Sequence, residues 1–381
     1  MSKYSQLFTP TVLAGHVVPH RVVMAPMTRA RSTQPGDIPN AMNARYYAQR
    51  ASAALVVTEA TQVSPQGKGY SFTPGIYSAD QVSGWRLVTQ SVHAAGGRIF
   101  LQLWHVGRMS HPDFHNGELP VAPSAVPFEG QIWKMNPRTG RGEMVACPTP
   151  RALTTDEIKG VIEDFRRGAR NAIDAGFDGV EIHGANGYLI DQFLRTTSNT
   201  RTDEYGGSRE NRLRFLKELI DAVASEVGPR RTAIRLAPFL TARGMACPDI
   251  LPTILAATEF LQDRGIAYLH LVEADWDDAP KFTEEFRQAI RARFTRPIIV
   301  AGKYDKARAE WVLSKGYADL VAFGRPFVAN PDLPLRLAKD LPLATSASNT
   351  LFGGGAGGYS DYPSWSTAGQ ASAVREPEAV S

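Results

Sequence analysis

Three hydrogen-bonding side chains stand close together where an apolar run ends, in the stretch "VEIHGANGYLIDQF" (180–193). His183, Asn186 and Tyr188 offer an imidazole, an amide and a phenol within six positions. Groups of this kind can hold an oxygen atom or transfer a proton. No Ser or Cys nucleophile stands beside the imidazole, and the other ligands of a metal site are missing. Nucleophilic and metal chemistry are therefore not indicated here.

Polar or cationic residues also end other apolar runs of the chain. Arg235 lies in "TAIRLAP" (232–238), and a buried guanidinium needs an anionic partner, either a carboxylate or a ligand. Gly302 follows a late run and Gly324-Arg325 follows the last one, a combination of glycine and cation that suits phosphate. Two other apolar runs end near further polar or aromatic residues, which are Thr28, Gln102, Trp104 and His105. Each has a structural alternative when taken alone, but together they outline a polar, partly cationic pocket.

Eight apolar, β-rich runs precede these residues and would have to position them. They cover residues 21–27, 54–60, 98–104, 179–183, 232–238, 268–274, 297–302 and 320–325. Near-continuous apolar runs are typical of parallel strands that are buried on both faces. Helical patterns lie between them, at about 40–53, 80–96, 155–176, 208–227, 249–265, 281–294, 305–316 and 331–340.

Eight strands that alternate with eight helices predict an α/β fold of the (β/α)₈ TIM barrel type. A doubly wound sheet is the alternative, but it usually has six strands, and the first strand lacks the GxGxxG turn. In a barrel the active site lies at the carboxyl ends of the strands. The polar residues named above would therefore meet at one mouth.

Two segments depart from the alternating pattern. Residues 106–153, between the third strand and the next helix, are rich in proline and are predicted to form an inserted lid or binding loop. Residues 342–381 form a polar tail without helical or strand period. We expect residues 1–367 to form a single domain and residues 368–381 to be disordered.

Composition excludes several classes of partner. The formal charge is +4, from 42 basic and 38 acidic residues without a long basic run, so nucleic acid is not an expected partner. Only Cys147 and Cys247 are present, which excludes a cysteine-ligated metal centre and a disulfide framework. No apolar stretch is long enough for a membrane span, and no partner membrane is expected. We expect a cytoplasmic protein without a metal, as a monomer or small homo-oligomer.

The ordered motifs of this chain resemble the Old Yellow Enzyme family of FMN-dependent ene-reductases. The likeness is carried by "HGANGYLIDQFLRTTSNTRTDEYGGSRENRLRF", and it extends over about 360 residues. Other matching stretches are "VVMAPMTRARS", "EATQVSPQGKGY", "LQLWHVGRMSHP", "IRLAPF", "VAFGRPFVANPDL" and "FGGGAGGYSDYP". The resemblance implies FMN bound tightly but noncovalently at the barrel mouth, with NADPH or NADH as a transient reductant.

The resemblance also implies roles for individual residues. Thr28 would bond the flavin O4, Gln102 the pyrimidine edge, and Arg235 the N1 and O2 side. Pro26 and Ala60 would line the ring, while Gly302, Gly324 and Arg325 would hold the phosphate. His183 and Asn186 would grip the substrate oxygen, with His183 also beside the flavin, and Tyr188 would give the proton. The implied walls of the substrate pocket are Tyr70, Trp104, Trp276 and Tyr359.

The implied reaction is reduction of the C=C bond of α,β-unsaturated carbonyl or nitro compounds by a ping-pong mechanism. The flavin N5 would deliver hydride to Cβ and the phenol a proton to Cα. Two alternatives stay open. The flavin could serve chiefly nitroester or nitroaromatic reduction, or the barrel could bind phosphate or flavin without turnover. Many bacterial relatives carry a second histidine where this chain has Asn186, and an amide can still donate a hydrogen bond.

Overall fold

A closed barrel of eight parallel strands lies at the centre of the computed structural model, which describes residues 6–136, 139–273 and 281–365. The barrel strands are β1 (Val22–Met24), β2 (Val56–Gln62), β3 (Ile99–Trp104), β4 (Gly179–Gly184), β5 (Thr232–Leu236), β6 (Leu269–Val272), β7 (Ile298–Ala301) and β8 (Leu320–Phe323). Each strand pairs in parallel with the next, and β8 pairs with β1 to close the ring. The predicted (β/α)₈ TIM barrel is confirmed.

Helices lie between the strands, as predicted. In the described ranges they are α1 (Ala41–Ala48), α2 (Ala79–Ala94), α3 (Thr155–Asp174), α4 (Leu189–Leu194), α5 (Arg209–Val227), α6 (Ile250–Arg264), α7 (Glu284–Arg293), α8 (Lys306–Ser314), α9 (Arg325–Ala329) and α10 (Leu333–Ala338). Each of the eight predicted helical segments overlaps one of them. The short helices α4 and α9 were not predicted, and each begins directly after a site residue.

The strands are buried on both faces, which explains why most of their residues are apolar. In β1, Val22 and Met24 pack into the large core cluster that includes the helices, whereas Val23 packs into a separate cluster inside the barrel. That inner cluster also contains Ala233 and Ile299 from β5 and β7. Side chains of a strand alternate between its two faces, so both faces require apolar residues here.

Helix α3 shows how local sequence sets an element's ends. The Thr154 side chain accepts from the Glu157 backbone N–H, and the Glu157 carboxylate accepts from the Thr154 N–H, which completes the predicted capping box. Gly176 follows the last turn with φ of 91°, a left-handed conformation that glycine adopts without steric cost. Both predicted ends of α3 are confirmed.

The inserted segment after β3 carries its own small elements. Strands Gln131–Met135 and Gly142–Ala146 form an antiparallel hairpin, and Val121–Ala122 pairs with Arg151–Ala152. The hairpin is tied down where the Met135 N–H donates to Ser71 Oγ at 2.9 Å. Ile132 of the hairpin and Phe128, just before it, pack into a cluster with Trp104 and Tyr188. The insertion therefore covers one side of the barrel mouth.

The large core cluster contains residues from Leu7 to Tyr359. On this basis we propose that residues 1–367 form one domain. The tail predicted to be disordered, 368–381, lies outside the described residues. A bilayer-spanning helix is not found in the described part of the chain, because no helix there combines the required length and apolarity.

Candidate active site

A cavity of about 450 Å³ opens at the carboxyl ends of the barrel strands. This is within the range of about 300–1,000 Å³ that is usual for small-molecule sites. The predicted residues that line it are Pro26, Thr28, Ala60, Gln102, Trp104, His183, Asn186, Tyr188, Arg235, Gly302, Gly324 and Arg325. Residues from seven of the eight strands and the turns after them therefore meet at one site.

His183 lies near the end of β4, beside Arg235 of β5 in the strand register. Its Nδ1 accepts a hydrogen bond from the Ala185 backbone N–H at 3.3 Å. Burial, followed by the effects of Arg235, His270 and Arg243, holds the pKa of His183 well below its usual range. The imidazole is therefore neutral at pH 7, and its single proton must sit on Nε2, because Nδ1 is the acceptor.

Asn186 occupies a left-handed backbone conformation, with φ of 60°. Asparagine tolerates this region better than most residues with a side chain. The turn is held on both sides, since Arg243 Nη1 donates to the Asn186 carbonyl at 3.0 Å and the Gly187 N–H donates to Asp191 Oδ2 at 2.9 Å. The tight turn places the Asn186 amide next to the end of β4, at the cavity.

Tyr188 is held among aromatic rings at the start of α4. Its ring meets Trp104 edge-on at 4.9 Å between centroids and His183 at 5.0 Å. Tyr70 stacks on Trp104, and its hydroxyl lies 3.4 Å from the Tyr188 hydroxyl. Edge-to-face packing restricts the ring orientation, so the phenol keeps a defined position relative to the imidazole.

Thr28 is positioned by a buried carboxylate behind it. Glu59 of β2 accepts from the backbone N–H groups of Arg29 and Ala30, at 3.0 and 2.8 Å. These two bonds anchor the loop after β1 directly beside Thr28. Since Glu59 is 1% exposed, the anchor is shielded from water.

The opposite end of the cavity is formed by the turns after β7 and β8. Gly302 has φ of 135°, which in practice only glycine adopts without strain. Its carbonyl accepts from Arg308 Nη1 at 2.7 Å, and Arg308 is paired in turn with the buried Glu273. Lys303 and Arg325 are exposed here at the rim. This end presents cationic side chains on a fixed loop.

The cavity is electropositive. Among its described lining residues, Arg29, Arg235, Arg243, Lys303 and Arg325 are cationic, whereas Asp305 is the one carboxylate. A concave site lined by one sign of charge raises the local concentration of oppositely charged ligands. The site therefore favours an anionic ligand, and a phosphate site at Gly324-Arg325 stays a prediction.

Tyr359 does not line the cavity, and this corrects its prediction as a pocket wall. Its ring is fully buried and stacks on Tyr46 at 4.0 Å, while its hydroxyl accepts from Asn43 Nδ2 at 2.9 Å. Leu351 and Phe352 of the C-terminal segment line the cavity instead. Arg29 and Arg31 hold that segment through the carbonyls of residues 350, 351, 355 and 358.

The other predicted pocket walls have different outcomes. Tyr70 lies beside the cavity, in contact with Trp104 and Tyr188, whereas Trp276 lies outside the described residues.

The His105 side chain, at the end of β3, is buried in the protein, where its Nδ1 accepts from the Gly107 N–H. Burial lowers the pKa of His105 to about 3, so it is neutral in the folded protein.

Arg243 and Lys303 both line the cavity and were not among the residues predicted from the sequence. Each has a positive φ, at 63° and 52°, in a turn after a barrel strand. A positive φ at a residue other than glycine often marks a functional turn. The sequence signal was the glycine that stands beside each of them, Gly244 and Gly302.

Residues 6–344 match the protein family described as the NADH:flavin oxidoreductase / NADH oxidase family. The curated relative 12-oxophytodienoate reductase 1 of Oryza sativa subsp. japonica is 44% identical over 371 residues, which cover 94% of this chain and 92% of the relative. The 12-oxophytodienoate reductase 2 of Arabidopsis thaliana is 41% identical over 365 residues, covering 94% and 95%.

Solved structures agree with the family match. Morphinone reductase superposes with a TM-score of 0.92 at 46% identity, covering 96% of this chain and 99% of that chain. The old yellow enzyme homologue from Zymomonas mobilis gives a TM-score of 0.88 at 41% identity, covering 94% and 99%. These matches span nearly the whole chain, and the family match over residues 6–344 includes every strand of the barrel. The chain therefore belongs to the NADH:flavin oxidoreductase family, the Old Yellow Enzyme family, and is an FMN-dependent oxidoreductase.

Proposed function

We propose that the protein is an NAD(P)H-dependent ene-reductase that reduces the C=C bond of α,β-unsaturated carbonyl or nitro compounds. The observation that carries this proposal is the grouping of a neutral imidazole donor, an amide and a phenol on the floor of one cationic cavity. The relatives support the same reaction class, since their names describe reductases of 12-oxophytodienoate and morphinone.

The described residues fit FMN. Within the described part of the chain, Trp104 Nε1 and Asn186 Oδ1 are buried without a hydrogen-bond partner, as expected at a site that receives a polar ligand. Thr28, Gln102 and Arg235 would bind the isoalloxazine edge, with Pro26 and Ala60 against the ring. Gly302, Gly324 and Arg325 would hold the phosphate, joined by Lys303. When bound, FMN supplies the hydride.

His183 and Asn186 would hold the substrate oxygen. The Nε2–H of His183 is a donor, and rotation of the Asn186 amide presents a second one. Two donors on one carbonyl or nitro oxygen stabilise the negative charge that develops there during reduction. Because His183 is neutral, its hydrogen bond polarises the oxygen without transferring a full proton to it.

Tyr188 would supply the proton to Cα. Its ring meets the His183 ring at 5.0 Å, so a substrate held by the imidazole lies within reach of the phenol. Nicotinamide and alkene would use this one cavity in turn, which is a ping-pong cycle. The structure of morphinone reductase with tetrahydroNAD supports nicotinamide entry into such a cavity.

The visible spectrum tests the proposed function directly. We expect purified protein to be yellow, to bleach when NADPH or NADH is added without oxygen, and to regain its colour when cyclohexenone follows. Steady-state reduction rates measured with an enone and with a nitroester or nitroaromatic compound show which of the two substrate classes the protein prefers. Colourless protein that cannot be reconstituted with FMN, or bleached protein that an enone leaves bleached, would contradict the proposal.

Arg325→Ala tests the proposed phosphate end. A charge-assisted hydrogen bond contributes about 1.5–3 kcal/mol, so we expect FMN affinity to fall by about 10–150-fold. The measurement is FMN dissociation followed by recovery of flavin fluorescence. Lys159→Ala, which removes an exposed charge on α3, is the matched control and should retain native affinity. Equal affinity in both variants would place the phosphate elsewhere.

A further inference from the structure

A buried carboxylate lies inside the barrel, beneath the cavity, and has no part in the reaction proposed above. Glu181 of β4 is 0% exposed and accepts three hydrogen bonds. The donors are Gln102 Nε2 to Oε1 at 2.7 Å, Tyr268 Oη to Oε2 at 3.0 Å, and His270 Nδ1 to Oε2 at 2.9 Å. They come from β3, from the residue before β6, and from β6 itself.

The strand register places these groups in two layers of the barrel interior. Gln102, Glu181 and Ala233 are neighbours across β3, β4 and β5. Arg235 is two residues further along β5, on the same face, and pairs in register with His183 and His270. Glu181 therefore lies one layer below Arg235, on the side away from the mouth.

Glu181 is ionised in this setting. Burial opposes its charge, but His270, the positive charge of Arg235 and the donated hydrogen bonds outweigh burial and hold the pKa of Glu181 below its usual range. Burial lowers the pKa of His270 against the opposing effect of Glu181, and the imidazole donates to the carboxylate through Nδ1. The carboxylate thus remains a negative charge inside the barrel.

The bond from Gln102 to Glu181 also decides how the Gln102 amide faces the cavity. One Nε2 hydrogen is committed to the carboxylate, which orients the carboxamide plane. The amide oxygen and the second Nε2 hydrogen remain for a ligand in the cavity that Gln102 lines. A planar ring edge with adjacent donor and acceptor groups, such as the flavin pyrimidine, matches this pair.

We propose that Glu181 is a positioning residue for FMN, which orients the Gln102 carboxamide and offsets part of the Arg235 charge, and thereby lowers the reduction potential of the cofactor. Reduced flavin carries negative charge that Arg235 stabilises. The negative charge of Glu181, one layer below Arg235, opposes that stabilisation, because Coulomb interactions remain strong away from water. This inference rests on the proposed binding of FMN by Gln102 and Arg235.

Glu181→Gln tests the inference in the FMN-loaded protein. When a redox dye sets the solution potential at a fixed value, we expect the ratio of reduced to oxidised FMN to rise about tenfold. This corresponds to a rise of about 30 mV in the reduction potential of a two-electron couple. Tyr268→Phe keeps the carboxylate and should leave that ratio within about twofold. Asp156→Asn removes an exposed carboxylate on α3, away from the cavity, and should do the same.

The outcomes separate this inference from the proposed function. An unchanged or lower potential in Glu181→Gln with FMN bound would overturn the role of Glu181, while enone reduction by the native protein would still support the function. Equal shifts in all three variants would indicate a structural effect and also overturn it. If Glu181→Gln does not fold, native protein labelled with ¹³C-glutamate provides the test. Its reduced-minus-oxidised infrared spectrum should contain an isotope-sensitive carboxylate change, and the absence of one would overturn the inference.

Discussion

Tyr188→Phe is expected to slow reduction of an enone by about 10²–10⁴-fold, the usual contribution of a positioned proton donor. Reduction of the bound FMN by NAD(P)H should stay near the native rate, because that step needs no proton from the phenol. The ring contacts with Trp104 and His183 involve the ring carbons, so phenylalanine should keep the packing. Stopped-flow absorbance resolves the two half-reactions and measures each rate separately.

Tyr70→Phe is the matched control for this experiment. It removes the neighbouring hydroxyl, 3.4 Å from that of Tyr188, from a ring that also stacks on Trp104. We expect a much smaller loss of enone reduction than in Tyr188→Phe. If the two half-reactions of Tyr188→Phe slow equally, or if Tyr70→Phe has the larger effect, Tyr188 is not the donor.

Loss of His183 or Asn186, the pair proposed to hold the substrate oxygen, should also slow enone reduction strongly. Loss of one donor to a developing oxyanion usually costs about 10²–10³-fold in kcat, and we expect this for His183→Ala with an enone. Phenol binding, followed by its charge-transfer absorbance with FMN, should weaken in the same variant. His183→Asn restores a donor at this position and should recover part of the affinity.

Asn186→Gly is the suitable partner variant, because glycine accepts the φ of 60° found at this position. Alanine would add roughly 1 kcal/mol of backbone strain and confuse the result. We expect the double variant His183→Ala/Asn186→Gly to lose less than the product of the single losses, since both donors bind one oxygen. Unchanged phenol affinity in His183→Ala, or strictly multiplicative losses, would argue against a shared oxygen.

The strands and main helices could be predicted because each has a local signature. Near-continuous apolar runs marked the barrel strands, and the cap formed by Thr154 and Glu157 marked the start of α3. The helices α4 and α9 are six and five residues long, too short for a helical period to be recognised. Their position after Tyr188 and Gly324 follows from packing at the barrel mouth.

Convergence of the site could also be predicted, since the carboxyl ends of parallel barrel strands share one mouth. Thr28, Gln102, His183, Arg235 and Arg325 do line one cavity. Their individual roles stay predictions. The prediction that Tyr359 forms a pocket wall was wrong, since its ring packs on α1. No local sequence pattern shows whether an aromatic ring in an irregular segment packs on a helix or faces a ligand.

The sequence by itself determined the barrel, the family and the residue types at its mouth, because each depends on the order of residues along the chain. Tertiary structure alone decided the tautomer of His183, the contribution of Leu351 and Phe352 to the cavity, and the partners of Glu181. In the sequence Glu181 is merely one polar residue in an apolar strand. Tyr268 and His270 are 87 and 89 residues away, and the pairing of β4 and β6 with β5 around the barrel interior brings their donors to its carboxylate.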